Sequence, residues 1–404
     1  MRDALPPLRV VRAGLRQATE ALATELASPG GGTPPWGPLQ WRLAMAAAVA
    51  HGVSPLLDRQ PGWRHAPWQC FAAEQREHVE QRHRRIDTLL DRLDADARVA
   101  GVALLPLKGV ALHALGLYAP GERPMADIDL LVHPQYADRA AALLRELGYV
   151  DSFAAWKHRV FKPVAGIPVT ALGEHRDTPV TIELHTHIHE RLPLATVDIT
   201  PMVYPRHAQP GLNAYPSEAA LMGHLLLHAA GNLCGRSLRL LHLNDIALLA
   251  ARMSLRDWDL LWSTPAGPPW WALPPLRLVA RYYRHAVPEI VFTRLERDCP
   301  RLLRALGRRW TLSAVSCSDL WLHGLAGLEW CRSPGEVARY LHRRIRPTDE
   351  ARRERADMAR TQTWLQGQHW VTSSQHRRIL AWLTRPVPRM DTLYVVRAAL
   401  QPTD

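Results

Sequence analysis

Apolar residues recur at helical spacing over residues 9–27, with Val11, Leu15, Ala18 and Leu22 on one stripe, so this stretch predicts an amphipathic helix. Ser28-Pro29-Gly30-Gly31-Gly32-Thr33-Pro34-Pro35 breaks it. Further helices are predicted over 38–52 and over 68–96, the latter with Leu89, Leu90 and Leu93 as an apolar edge. Trp36, Trp41, Trp63 and Trp68 need cover, so these helices are expected to pack on the rest of the chain. Between 100 and 205 the pattern changes period. Residues 102–107 are continuously apolar, 110–117 and 136–147 are helical, and 127–132 and 181–188 alternate. Gly148 ends the second of these helices, and 160–163 and 169–172 are candidate short strands. A β-α-β-α-β order of this kind predicts a small mixed sheet with helices on one side.

From about residue 217 the chain turns helical, with candidates over 218–230, 238–253, 276–285, 301–307, 315–328 and 337–344. Proline-containing breaks at 265–275, 288 and 333–334 separate them. Residues 348–404 are first arginine-rich and then carry Trp364, Trp370 and Trp382, as a docked helical extension or a lid would. No repeat of fixed period is present. The expected fold class is α+β: a helical region over 1–99, a mixed-sheet core over 100–205, a larger helical domain over 206–347, and an extension over 348–404.

Two of the strands carry acids. In Asp127-Ile128-Asp129-Leu130-Leu131-Val132 the period-2 geometry sends both carboxylates to one face and Ile128 and Leu130 to the other. Two adjacent anionic groups repel each other and resist desolvation unless a cation neutralises them. Such oxygen ligands suit Mg²⁺ held together with substrate phosphates. Thr181-Ile182-Glu183-Leu184-His185-Thr186-His187-Ile188 places Glu183, His185 and His187 on one face. If the two strands pair, Asp127, Asp129 and Glu183 can hold two metals, one activating a hydroxyl and one clamping a triphosphate.

Leu107-Lys108-Gly109, Tyr118, Arg123, Asp127-Ile128-Asp129-Leu130-Leu131-Val132 and Glu183-Leu184-His185 together resemble the uncharacterised nucleotidyltransferase family, within the DNA polymerase β-like nucleotidyltransferase superfamily. Trp41 to Val53 with Pro55-Leu56-Leu57 is similar to the family's N-terminal helix, and His228 and Leu243-Asn244-Asp245-Ile246 to its later helical part. The resemblance spans roughly residues 40–250. It implies an enzyme that uses an NTP with two Mg²⁺ ions and releases pyrophosphate. Asp127, Asp129 and Glu183 would be catalytic and metal-binding, while Lys108, Gly109, Arg123 and His185 would contact the nucleotide. A small molecule, a peptide or a protein is the implied acceptor.

The chain departs from better-known superfamily members, which carry Gly-Ser at the start of the phosphate-contacting helix; here Lys108-Gly109 stands there, with a longer gap to the acids. Gly109 still permits close backbone approach. Lysine occurs only at 108, 157 and 162, all within the expected core, and an ammonium acts as a point charge where a guanidinium would act as a planar fork. Arg123 is either a phosphate contact, a brace on the carboxylates, or an ordinary loop arginine. His175, His185, His187 and His189 raise zinc as an option, though the favoured role is a rim of hydrogen-bond donors beside phosphate. His224 and His228 share a helix face, and Asp245 on the following helix could meet them. A serine-hydrolase nucleophile elbow is absent.

The net charge of +12 fits a polyanionic partner, but arginines lie among acids, as in Arg352-Arg353-Glu354-Arg355-Ala356-Asp357, which reads as solvated helix surface. An RNA-modifying nucleotidyltransferase is therefore an alternative without a base-reading module behind it. A catalytically degenerate nucleotide-binding or protein-interaction module is the other. Five scattered cysteines, no apolar N-terminal stretch and no long apolar run predict a cytoplasmic protein without a membrane partner.

Overall fold

In the computed structural model, residues 5–58, 62–154, 157–165, 169, 171–263, 267–365, 373–384 and 386–401 are described. Trp370 lies outside them. Helices α1 (Leu8–Ala27) and α2 (Pro38–His51) pack against each other, and the long α3 (Ala66–Val99) follows. The tryptophans find cover mostly in one another: the ring pairs Trp36–Trp41, Trp36–Trp63 and Trp63–Trp68 lie 5.0, 5.2 and 4.9 Å apart. The first two are edge-to-face contacts, which stabilise beyond the area they bury.

The core is a six-stranded mixed sheet in the order β3-β4-β5-β2-β1-β8. Its strands are β1 (Ala103–Pro106), β2 (Asp127–Val132), β3 (Tyr149–Ala154), β4 (His158–Pro163), β5 (Thr181–His185) and β8 (Gly211–Leu212). Between them lie α4 (Gly109–Ala114), α5 (Ala137–Glu146), the hairpin β6 (His189–Arg191) and β7 (Thr196–Asp198), and α6 (Thr200–Val203). Strands β2 and β5 run parallel, while β1 and β4 flank them antiparallel. One face of the sheet, with Leu104, Ile128, Leu130, Phe161, Ile182 and Leu184, packs on α3 and α5 through Ile86, Leu93, Ala141 and Leu144. The other face contributes Leu105, Leu107 and Leu131 to the helical core. Helices thus cover both faces rather than one.

That helical core is built from α7 (Glu218–Cys234), α8 (Leu240–Ala250), α9 (Leu255–Leu260), α10 (Leu273–Tyr282), α11 (Glu289–Asp298) and α12 (Arg301–Gly307). Helix α7 is apolar nearly all round, as befits a helix at the centre of a core, and Ser217 caps it by accepting from the Ala220 amide. Then come α13 (Pro334–Ile345), α14 (Asp349–Thr361), α15 (Gln375–Thr384) and α16 (Met390–Leu400). Helix α16 packs on α2 through buried Leu393, Val396 and Ala399.

Several expectations fail for local reasons. Residues 315–328 form no helix: Leu320 and Gly327 take left-handed φ values of 64° and 97° around 3₁₀ turns at Cys317–Asp319 and Leu328–Trp330. Asp319 is instead spent on ion pairs to Arg12 and Arg16 of α1 at 2.5 and 2.7 Å. Helix α11 was missed because it follows Pro288 and is rich in β-branched residues, burying only Val291 and Leu295. Strand β3 was missed because it is a sheet edge whose Val150 and Asp151 face solvent. Of the stretch 169–172, Val169, Ala171 and Leu172 are not in a strand, and residue 170 lies outside the described residues.

His51 ties three regions together. Its Nδ1 accepts from the Leu240 amide at 3.0 Å, so the ring proton sits on Nε2, 3.1 Å from both Thr19 Oγ1 and Ser318 Oγ. Burial, assisted by Arg239, pushes its pKa from 6.5 down to about 3. The unfolded chain therefore binds a proton that the folded chain refuses between those values. The His51 contribution is complete above pH 6.5 and is lost as pH falls towards 3, at about 1.4 kcal/mol per unit. Urea unfolding of wild type and His51→Gln from pH 7 to pH 4 checks this: the wild type should lose stability more steeply with acid. Parallel slopes would contradict it.

Candidate active site

The acids sit where two parallel strands run side by side. In the β2–β5 register Asp129 stands opposite Glu183 and Leu131 opposite His185. Because the side-chain period is two, Asp127, Asp129, Glu183 and His185 all leave the face opposite the α3–α5 core. Lys108 closes the group from the β1–α4 turn, its Nζ 2.9 Å from Asp129 Oδ1. The turn is strained: Lys108 has φ 46° and ψ −110°, a conformation that side-chain-bearing residues avoid. Strain of this order costs about 1–3 kcal/mol and concentrates at functional sites. Its amide points at Tyr215 Oη at 3.4 Å, and the Tyr215 hydroxyl shares a hydrogen bond with His224 Nδ1 at 2.7 Å.

Charge is finely divided among these groups. Burial raises Asp127 to about 7, and the neighbouring Asp129 and Glu183 charges add to the effect. Burial opposes ionisation of Asp129 too, but Lys108 and the His185 hydrogen bond outweigh it and hold that carboxyl well below the usual range. His185 Nε2 donates to Asp129 Oδ1 at 2.9 Å and lies 3.7 Å from Glu183 Oε2. Burial works against the imidazolium; those two carboxylates prevail and raise its pKa. Lys108 is raised in the same way, by Asp129, Asp127 and Glu183 against burial. The chain's own cations thus neutralise acids that otherwise require a metal.

Arg123 is neither on the carboxylate pair nor exposed. Its Nε and Nη2 donate to Asp245 Oδ1 and Oδ2 at 2.9 and 2.8 Å, a buried bidentate pair. Tyr118 donates to the same Oδ1 at 2.7 Å and accepts from Asn244 at 2.8 Å. Asp245 is therefore engaged by Arg123 and Tyr118, and His228 instead meets Asn232 at 3.1 Å. Gly109 leaves room for the pair, since a Cβ there would lie 2.3 Å from Arg123 Nη1.

Arg82 of α3 went unnoticed in the sequence because it lies in a charged helix. It is buried and donates to the Thr178 and Met125 carbonyls at 2.5 and 2.9 Å, holding the approaches to β5 and β2 together. His158 on β4 was likewise missed. It pairs across from His185, with its Nδ1 3.4 Å from Glu183 Oε2, and no sequence signal announces that register. Of the other histidines, His187 lies beyond the end of β5 and is exposed, so the alternation that would align it with Glu183 stops short.

A cavity of about 680 Å³ opens over this group. Lys108, Gly109, Asp127, Asp129 and Glu183 line its floor, Arg239 and His242 one side, and Gly52 at the end of α2 another. Trp364, Arg389, Asp391 and Tyr394 supply a wall from the C-terminal segment, with the Trp364 and Tyr394 rings 6.3 Å apart. His185 is reached from a smaller adjoining cavity of about 110 Å³, bordered by Lys157, His158, Glu190 and His224. Among the described residues, no helix is long and apolar enough to cross a membrane. The family model described as uncharacterised nucleotidyltransferase matches residues 37–271. No curated protein and no solved structure matches the chain.

Proposed function

From a chain that belongs to the uncharacterised nucleotidyltransferase family, we propose a Mg²⁺-dependent enzyme that moves a nucleoside monophosphate from an NTP to an acceptor hydroxyl and releases pyrophosphate. The observation that carries this reading is the Asp129–Glu183 register, which gathers three carboxylates and Lys108 on the floor of one large cleft. The donor set fits the metal that the family implies, because clustered carboxylate oxygens are what a hard divalent cation takes. Asp127 and Asp129 would hold such ions, with Glu183 on the acceptor side. When bound, they neutralise the triphosphate and make the acceptor hydroxyl more acidic.

The remaining work falls to the chain. Lys108 would move from Asp129 to a phosphate oxygen once another cation sits beside the acids. Glu183 would accept the acceptor's proton. Arg123, held by Asp245, would position the Gly109 turn, its charge balanced by that carboxylate. Trp364 and Tyr394 offer flat surfaces on which a base can stack. A small molecule, peptide or protein is the proposed acceptor, and the cytoplasm the proposed setting.

The test is calorimetric titration of ATP, GTP, CTP and UTP with Mg²⁺ into wild type and Asp127→Asn. One base should bind in a metal-dependent way, and the variant should lose that binding. No binding by a folded wild type would end the enzyme reading. The Lys108 ammonium 2.9 Å from Asp129 supports a second reading, a nucleotide-binding module whose lysine permanently replaces a metal. Nucleotide binding that ignores Mg²⁺ would favour it.

A further inference from the structure

We propose that His158, Glu183 and His185 form a site for a zinc-class transition-metal ion, distinct in ligand chemistry from the Asp127–Asp129 pair. The three side chains come from adjacent strands: His158 and His185 face each other across β4 and β5, and Glu183 lies two residues before His185. One donor atom from each falls within 4.8 Å of the others. His158 Nδ1 is 3.4 Å and His185 Nε2 is 3.7 Å from Glu183 Oε2. Two ligands each about 2.0–2.1 Å from a tetrahedral zinc ion stand roughly 3.4 Å apart, so the set closes with little movement once His185 Nε2 releases its proton and exchanges its hydrogen bond to Asp129 for the ion.

A second observation points the same way. His158 Nδ1 is buried and makes no hydrogen bond, although a Glu183 oxygen lies 3.4 Å away, out of line for one. A buried nitrogen left in that state calls for an explanation, and an ion between it and Glu183 supplies one. Two imidazoles and a carboxylate are the protein ligands of a catalytic zinc site that leaves one position open. Imidazole nitrogen also favours zinc-class ions over Mg²⁺, which prefers oxygen alone. The small cavity beside the group gives an ion a way in.

Binding here does not depend on the nucleotidyl-transfer reading. The ion's role does rest on it, because an ion on Glu183 would stand where the acceptor hydroxyl is activated.

The experiment uses the untagged full chain, stripped of metal and titrated with Co²⁺ as a spectroscopic probe. Wild type should take up one equivalent with a visible absorption band that Zn²⁺ abolishes and excess Mg²⁺ leaves alone. His158→Ala should weaken binding by at least about 10-fold and lose the band. Circular dichroism establishes that the variant is folded, and His158→Gln serves if it is not. Exposed His207→Ala should bind like wild type. No band in wild type, unchanged binding in the His158 variants, or equal loss in His207→Ala would overturn the site. Mg²⁺-dependent NTP binding, measured on the same wild-type sample, separates the two readings. NTP binding without a Co²⁺ site sinks only the transition-metal proposal, and a Co²⁺ site without NTP binding sinks only nucleotidyl transfer.

Discussion

Asp129→Asn is expected to lower nucleotidyl transfer by at least about 10³-fold, the equivalent of about 4 kcal/mol of transition-state stabilisation. Asparagine keeps the shape but removes the charge that would hold a cation between the acids and the triphosphate. The same change strands the Lys108 ammonium and the His185 imidazolium, both of which depend on Asp129. Removing one partner of a buried ion pair typically costs about 3–5 kcal/mol, although Asp127 and Glu183 remain near enough to soften the loss. Lost activity must therefore be separated from lost folding. Asp129→Asn combined with Lys108→Met should regain most of the stability while staying inactive. Urea midpoints report the first quantity and pyrophosphate release the second. Activity within about tenfold of wild type in the single variant would show that Asp129 does not carry the chemistry.

Asp245→Asn is expected to be the most damaging change to stability away from the acids. Asp245 is almost wholly buried and takes two hydrogen bonds from Arg123 and one from Tyr118. Burial alone would lower the Arg123 pKa; the Asp245 carboxylate overrides it and raises the guanidinium pKa. Neutralising Asp245 leaves that guanidinium buried without a counter-charge, at a cost of about 3–5 kcal/mol. Arg123→Lys should not spare the fold, because an ammonium cannot make the two parallel bonds. The urea midpoint should fall with its slope unchanged. A loss below about 1 kcal/mol would mean that the pair is solvated after all. Nucleotide affinity should fall with it, since Arg123 Nη1 packs on the Gly109 turn.

What could be read from the sequence follows from which interactions are local. Strict alternation in 127–132 and 181–185 sorted Asp127, Asp129 and Glu183 to one face without knowledge of any partner strand, because the period of a strand is a property of its own backbone. The helices α1, α2, α3, α5 and α7 were legible for the same reason. His158 was not legible: its place opposite His185 is set by antiparallel pairing across a connection of more than a dozen residues, which no local pattern encodes. Arg123 showed its importance but not its partner, since Asp245 meets it only after α8 has docked. The failed helix at 315–328 shows the reverse error: apolar spacing was adequate, but left-handed backbone at Leu320 and Gly327 breaks the chain while Asp319 meets Arg12 and Arg16.

The wall that α16 contributes to the cleft has a consequence in time. Helix α2 meets this helix through contacts such as Arg42 to the Leu400 carbonyl, across 358 positions of chain. At about 5–20 residues per second, a ribosome delivers the second half of that contact roughly 20–70 s after the first. Until then the strands bearing the acids can assemble, but the cleft lacks Arg389, Asp391 and Tyr394. A nascent chain would therefore hold its carboxylates in place before it has a complete chamber around them, and synthesis itself would set the moment at which the chamber closes.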